Sequence, residues 1–149
     1  MLKNILLSTM LAFGLFSCSN PASDDDHDEH ARGIGIALVS SGQTIATYEN
    51  EDPVTGQISV TAGTMTAGID FMLIDEDGDR YTPDDETHAL HFEFADTSVA
   101  GIWQHEGEEG GFEFHVQGKS VGSTTLTFTI YHDDHPDFVS VPVPVEVTE

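Results

Sequence analysis

Positive charge is nearly absent from this chain of 149 residues, which has four Lys and Arg residues against 27 Asp and Glu residues and a formal net charge of −23 at pH 7. Nucleic-acid binding and electrostatic adsorption to anionic lipid both require a basic surface, so the composition argues against both. Cysteine is almost missing as well. Cys18 is alone, which excludes an intrachain disulfide and a thiolate metal site. Such a chain is instead suited to attracting cations.

Apolar runs long enough to cross a membrane are also missing. The stretch from Ile5 to Phe16 is mostly apolar, but it is shorter than the roughly 20 residues of a membrane-spanning helix. Lys3 precedes this stretch, and Leu15-Phe16-Ser17-Cys18 ends it. This arrangement resembles a bacterial lipoprotein signal with its processing site at Cys18.

The resemblance implies that residues 1–17 are removed and that Cys18 becomes an acylated N-terminus. The protein would then work outside the cytoplasm, tethered to a membrane that it does not cross. Ser19 after the cysteine and the acidic run behind it favour the outer membrane or the cell surface. The alternative is an ordinary secretory signal in which the cysteine occurs by chance.

Residues 18–32 differ in composition from the rest of the chain. They contain Asp24-Asp25-Asp26-His27-Asp28-Glu29-His30 and have few apolar residues to bury, so the sequence predicts a disordered, lipidated tether. The remaining residues, 33–149, are sufficient for one domain with one core.

Residues 33–149 show short alternating apolar runs that Gly, Pro, Asp or Ser interrupts every 8 to 12 residues or so, a pattern typical of an all-β sandwich. Val139 to Val147 repeats valine at every second position, with Pro142 and Pro144 between. Because proline lacks the amide donor, this last strand is expected at a sheet edge or paired on one side only. The predicted strands are 33–39, 43–48, 57–61, 64–74, 87–94, 98–104, 111–117, 123–132 and 138–147.

Three segments, Ile58–Thr64, Ala95–Ala100 and Val116–Leu126, resemble those of a bacterial immunoglobulin-like domain in content and order. The resemblance covers about residues 56–147. It implies an antiparallel β-sandwich used for adhesion, spacing or binding at a cell surface, and it carries no catalytic residues. The histidine- and aspartate-rich loops are a departure from that family.

The acidic residues are unevenly distributed along the predicted fold. If consecutive strands alternate in direction, the tail and the loops 49–56, 75–86, 105–110 and 133–137 share one end of the sandwich. Together they hold 21 of the 27 acidic residues, whereas the connections at the other end hold only Asp96. Carboxylates crowded in this way repel one another, and a bound cation would relieve the repulsion. The alternative is a halophilic surface, whose acids hold solvent.

Histidines accompany these acids. His132-Asp133-Asp134-His135-Pro136-Asp137 offers imidazole and carboxylate ligands suited to Zn²⁺ or Cu²⁺, and His105-Glu106 is predicted beside it. The predicted ligands are His132 and His135 first, then His105, with Asp134, Asp137 and Glu106 as oxygen donors, His88 as a fourth ligand, and His27 and His30 as a secondary site in the tail.

Residues 75–86 suggest calcium as an alternative metal. Asp75, Asp77, Asp79 and Glu86 occupy positions 1, 3, 5 and 12 of an EF-hand-like loop. However, Arg80 stands where that loop needs glycine, and β-type sequence precedes it. A solvated turn explains the segment better, since Asp77-Gly78 is itself a turn signal.

No catalytic motif is evident, because the chain has no H-E-x-x-H sequence, no convincing Ser/His/Asp order and no phosphate-binding glycine loop. The sequence therefore predicts a non-enzymatic envelope lipoprotein that binds Zn²⁺ or Cu²⁺, to buffer the metal or to deliver it to an envelope transporter. The alternative is an adhesion or spacer module that contacts another surface protein, with or without calcium to rigidify it.

Overall fold

The computed structural model describes residues 31–83 and 86–149, which form twelve β-strands and no helix. The strands are Gly35–Ser40 (β1), Gln43–Glu49 (β2), Thr55–Gly56 (β3), Ile58–Thr61 (β4), Ile69–Ile74 (β5), Arg80–Tyr81 (β6), His88–Phe94 (β7), Ala100–Trp103 (β8), Glu113–Gly118 (β9), Gly122–His132 (β10), His135–Val139 (β11) and Val143–Thr148 (β12). Within this described part, nothing helical is long and apolar enough to span a membrane. Cys18, His27 and His30 lie outside the described residues.

The strands form two sheets. The larger has the order β3-β2-β1-β5-β9-β8, and β6 pairs with β5. In the smaller sheet β10 is central: β7 pairs with one of its edges, and β11 and β12 lie one after the other along the opposite edge. β4 pairs with the outer side of β12, and this pairing is parallel. All other pairs are antiparallel among the described strands.

This strand order is that of an immunoglobulin-like sandwich. The series β5-β9-β8 corresponds to strands B, E and D, and β7-β10-β12 corresponds to C, F and G. The predicted all-β, immunoglobulin-like antiparallel sandwich is therefore confirmed. The β1–β2 hairpin precedes the region of the resemblance and extends the sheet at the free edge of β5.

The core lies between the sheets and follows the alternation of apolar residues. Phe71 and Phe114 of the larger sheet and Phe128 of the smaller sheet are fully buried. The ring centroid of Phe128 lies 5.2 Å from that of Phe71 and 5.5 Å from that of Phe114. Because these strands expose alternate side chains to opposite faces, the residues between them remain half-buried or exposed.

Two predicted strands differ from the structure. The strand predicted at 64–74 begins only at Ile69, because residues 64–68 follow β9 irregularly, with a single bridge from Met65 to Gln117. The strand predicted at 138–147 is two strands, β11 and β12. Between them, Ser140 donates its N–H to the Phe128 carbonyl oxygen and accepts the Phe128 N–H on Oγ, both at 2.9 Å.

The expected edge position holds only for the first part of the last predicted strand: β11 pairs with β10 alone among the described strands, whereas β12 lies between β10 and β4. Pro142 precedes β12, and Pro144 lies before Val145, the first residue paired with β4. Neither proline therefore removes a donor from the ladder between β12 and β4.

Several loops meet at one end of the sandwich, as alternating strand direction predicts. The Ile34 N–H donates to the Ile74 carbonyl oxygen at 2.8 Å, and the Asn50 N–H donates to the Ile34 oxygen at 2.6 Å. On the other sheet, the Leu90 N–H donates to the Gly110 oxygen at 2.7 Å. We call this end the acidic pole; it comprises residues 31–34, 49–52, 75–79, 86–88, 105–110 and 132–137.

Candidate metal centre at the acidic pole

Three histidines form a row across three neighbouring strands of the smaller sheet. His132, at the end of β10, is directly opposite His88 of β7 and directly opposite His135 of β11. Residues directly opposite one another have Cβ atoms about 4.5–5.5 Å apart on the same face of a sheet. Accordingly, the ring centroids of His88 and His132 are 4.9 Å apart, and those of His132 and His135 are 5.6 Å apart.

This row continues the core-facing side of the sheet. His88 lies two residues before the buried Leu90, and His132 lies two residues after the buried Ile130. Because strand side chains alternate between faces, both histidines occupy positions where the pattern places a core residue. His88 is accordingly only 6% exposed, and His132 is half-buried. At the end of the core nearest the acidic pole, imidazoles thus occupy positions where strand alternation places apolar side chains.

Asp137 completes the group because a β-bulge changes the direction of its side chain. Opposite β11, Ile130 pairs with Phe138 and Tyr131 pairs with Pro136, so Asp137 is the extra residue. Its side chain is 3% exposed.

The Asp137 carboxylate has three polar neighbours among the described residues that define its position. Oδ2 accepts the Ala31 N–H at 3.1 Å and lies 3.6 Å from His88 Nε2, while Oδ1 lies 3.3 Å from His135 Nδ1. The side chain therefore connects the N-terminal segment, β7 and β11. We call His88, His132, His135 and Asp137 the His–Asp cluster.

One ligand atom from each of His88, His132 and Asp137 lies within 4.8 Å of the others. Within residues 31–83 and 86–149, these are the three metal-ligating side chains whose ligand atoms come this close to one another. His135 joins it through Asp137, although its own side chain is 52% exposed. The set offers imidazole nitrogens and a carboxylate, a combination that binds Zn²⁺ and Cu²⁺.

The structure brings together some of the predicted ligands and separates others. His132, His135 and Asp137 lie in the His–Asp cluster, and His88, predicted only as a fourth ligand, is its most buried histidine. Asp134 is exposed in the β10–β11 turn. Residues His105, Glu106 and Asp134 are not in the three-ligand group.

His105 belongs to a different cluster, on the outer face of the larger sheet. Its ring centroid lies 4.5 Å from that of Trp103 and 5.6 Å from that of His115. His115 Nδ1 lies 2.9 Å from the carbonyl oxygen of Thr66, which can only accept, so this nitrogen carries the proton. The hydrogen bond and a Trp103 ring whose centroid is 5.1 Å away leave His115 half-buried, although it alternates with the core residues of β9.

The first part of the segment predicted as a possible calcium loop, residues 75–79, forms a hydrogen-bonded turn between β5 and β6. Asp75 Oδ1 accepts the N–H groups of Asp77 and Asp79, each at 2.9 Å, and the Gly78 N–H donates to the Asp75 carbonyl oxygen at 3.0 Å. These bonds are those of the solvated turn, in which an Asp side chain caps the following amides. Glu86 and the carboxylates of Asp77 and Asp79 are exposed.

A cleft lies beside the His–Asp cluster. Residues 31–34, the 75–77 turn and residues 135–138 line it. The cleft thus brings the acidic turn, the N-terminal segment and the exposed side of the His–Asp cluster together at one surface.

Comparisons with known proteins give structural similarities only. No protein-family model matches the chain, and no curated protein matches it in sequence. Among solved structures, domains 4 and 5 of the S-layer protein SbsC are 25% identical over 76% of this chain, with a TM-score of 0.42. Domains 5–6 are 26% identical over 63% (TM-score 0.40), and domains 4–9 are 25% identical over 76% (TM-score 0.42). The chain spans 65%, 40% and 18% of those three structures. Similarity at this level does not define a function.

Proposed function

We propose that this protein is a non-catalytic, immunoglobulin-like spacer module of the bacterial cell envelope, anchored by a lipid on Cys18. The observation that supports this proposal is the path of the chain through the domain. The chain enters the sandwich at Ala31, whose N–H contacts Asp137 at the acidic pole. It leaves β12 at Thr148, whose carbonyl oxygen accepts the Ala62 N–H at the opposite end.

The distance between the two ends follows from β10. Gly122 pairs with Val147 at one end of this strand, and His132 pairs with His135 at the other. With 11 residues in β10 and a rise of about 3.3 Å per residue, the ends are roughly 33 Å apart. A domain anchored at one end holds its other end at about its own length from the anchor, which is what a spacer must do.

The same geometry suits a domain that carries tension. A force applied through residues 31 and 148 acts along β1 and β12, perpendicular to the hydrogen bonds of their ladders. Those bonds must then break together. In contrast, a force that opens a hairpin from its ends breaks the bonds one after another.

Two experiments test the proposal. In cells, Cys18→Ala should abolish incorporation of labelled palmitate and release the protein from the membrane fraction, whereas Ser19→Ala should retain both. Equal lipid labelling of the Cys18→Ala variant would refute the anchor.

Single-molecule pulling tests the spacer. Attachment at residues 31 and 148 should give a clearly higher unfolding force than attachment at residues 31 and 134, which opens the β10–β11 turn from the same pole. Equal forces for the two attachments would contradict a load-bearing role.

Metal handling is the second candidate function, and the His–Asp cluster is the observation that favours it. A module that buffers Zn²⁺ or Cu²⁺, or delivers it to an envelope transporter, needs a site that is reachable from solvent. The 52% exposure of the His135 side chain supplies such access beside the buried ligands. Transfer of the bound metal from the protein to a chelator within seconds would support delivery. Retention of the metal by the protein for hours would favour a structural role.

A further inference from the structure

The His–Asp cluster places polar, metal-ligating side chains where the fold expects apolar ones. Burying imidazole and carboxylate groups costs free energy unless partners or an ion compensate them. We propose that His88, His132 and Asp137 bind one divalent transition-metal ion, with His135 as the outer ligand. This inference is independent of the spacer role, because a spacer needs no metal, and it defines the ligands on which the metal-handling candidate rests.

The spacing of the ligand atoms fits such an ion after small side-chain rotations. Zn–N bonds of about 2.0–2.1 Å in a tetrahedral site place neighbouring ligand atoms about 3.3 Å apart. His88 Nε2 and Asp137 Oδ2 are 3.6 Å apart, and all three ligand atoms lie within 4.8 Å. The His88 and His132 rings are nearly parallel, at 22°, so metal binding requires one of them to tilt.

The donor types select the class of metal. Two or three imidazole nitrogens and one carboxylate are typical of Zn²⁺ and Cu²⁺ sites. Ca²⁺ takes six to eight oxygen ligands, and Mg²⁺ requires an octahedron of oxygens, so neither suits a cluster with a single carboxylate. We therefore expect Zn²⁺ and Cu²⁺ to bind here and Ca²⁺ not to compete with them.

Neighbouring groups hold two of the ligands in place. Thr87 Oγ1 lies 3.0 Å from His88 Nδ1, which leaves Nε2 directed at Asp137. The Ala31 N–H fixes Asp137 Oδ2. Outer-shell hydrogen bonds of this kind orient metal ligands and set the histidine tautomer. The contact to Ala31 also means that a metal at Asp137 would stabilise the attachment of the N-terminal segment to β11.

The charge of the surroundings favours a cation. The acidic pole holds 14 of the 27 acidic residues of the chain, and a divalent ion at Asp137 would reduce the repulsion among these carboxylates. The surrounding field also raises the local concentration of cations. The charge supports binding, but the buried His–Asp geometry gives the site its specificity.

Calorimetry on tag-free protein treated with a chelator and then dialysed tests the proposal directly. Titration with Zn²⁺ should show one saturable site per chain, and Cu²⁺ should compete for it. Outer-shell substitutions typically weaken metal binding by roughly 10- to 100-fold, so loss of a ligand in His132→Ala or Asp137→Asn should weaken it by about 100-fold or more. His91→Ala is the matched control, since His91 is exposed on the outer face of β7 and should bind as the wild type does.

Further variants separate this site from others. His135→Ala removes an exposed side chain, so it should fold normally and still weaken Zn²⁺ binding by at least tenfold. Circular dichroism and thermal melting without metal show whether the His132→Ala and Asp137→Asn variants are folded. If either is unfolded, His135→Ala and Thr87→Val, read by Co²⁺ absorption spectra, decide the question.

The outcomes are distinct. Co²⁺ bands typical of tetrahedral nitrogen and oxygen ligands, lost in His135→Ala, support the site. Zn²⁺ binding that survives every cluster variant, or that disappears in His27→Ala/His30→Ala, overturns it and assigns binding to the tail. Absence of saturable Zn²⁺ and Cu²⁺ binding overturns it as well.

Discussion

Phe128→Ala should destabilise the domain more than other substitutions on β10, because Phe128 occupies the centre of the aromatic core. The residue is fully buried, and its ring centroid lies 5.2 Å from that of Phe71, 5.5 Å from that of Phe114 and 5.9 Å from that of Phe92. Truncation of a buried Phe typically costs about 3–5 kcal/mol through lost transfer free energy and the remaining cavity. Because the neighbours come from both sheets, collapse around the cavity requires both sheets to move. We therefore expect a loss near 4–5 kcal/mol, at the upper end of the range of about 3–5 kcal/mol.

Urea unfolding followed by tryptophan fluorescence and circular dichroism measures this loss. A domain of this size has a total stability of about 5–15 kcal/mol, so the loss leaves roughly 0–11 kcal/mol and a much lower urea midpoint. Val139→Ala is the control: this residue is 58% exposed, and the change should stay within about 0.5 kcal/mol. A loss below about 1.5 kcal/mol for Phe128→Ala would mean that the two sheets do not pack through this ring as the structure shows.

The other predictions concern pH. Burial raises the pKa of Tyr48 above 10.0, although the Val141 N–H bond to its hydroxyl lowers it in part. The neutral phenol is favoured in the fold, so its contribution to the free energy of unfolding is complete below about pH 10 and lost as pH rises through the higher folded pKa. In Tyr48→Phe, the free energy of unfolding in urea should decrease less steeply as pH rises above about 10. The same decrease in both proteins would contradict this. Two hydrogen bonds from Ser98, from its hydroxyl and its N–H, lower the pKa of Asp96 below 3.8. The contribution of Asp96 is therefore present above its unfolded pKa and lost as pH falls through the folded value. Ser98→Ala should raise the pKa of Asp96 in an NMR titration, and equal values in both proteins would refute the assignment.

Most of the fold could be predicted from the sequence because most of the longer strands alternate buried and more exposed residues. Phe112, Phe114 and Val116 are buried while Glu113 and Gln117 are exposed, as period two requires. The pattern does not show where a strand changes its partner. The valine repeat passes through Ser140 without a break, although β11 ends before it and β12 begins after it.

The candidate site was predicted in part. The short spacing of His132, His135 and Asp137 gave three of its members, and alternating strand direction placed them at one pole. The importance of His88 could have been recognised from strand alternation. His88 lies two residues from the buried Leu90, and His132 lies two residues from the buried Ile130. Because side chains two residues apart lie on the same face of a strand, both histidines face the core side of the sheet. His105 shows the opposite case, because it lies in a loop of the same pole but packs on the larger sheet against Trp103.

The parallel pairing of β4 with β12 determines when the sandwich can be completed. Ile58 pairs with Val145, so the smaller sheet joins residues that are far apart in the chain. Contacts of such long range form late and slowly, since the intervening chain must be ordered first. Among the described strands, β4 has no strand partner until residues 143–148 are available. The side of the smaller sheet that β4 and β12 form is therefore a late step in folding, even though β4 precedes most of the core strands in the chain.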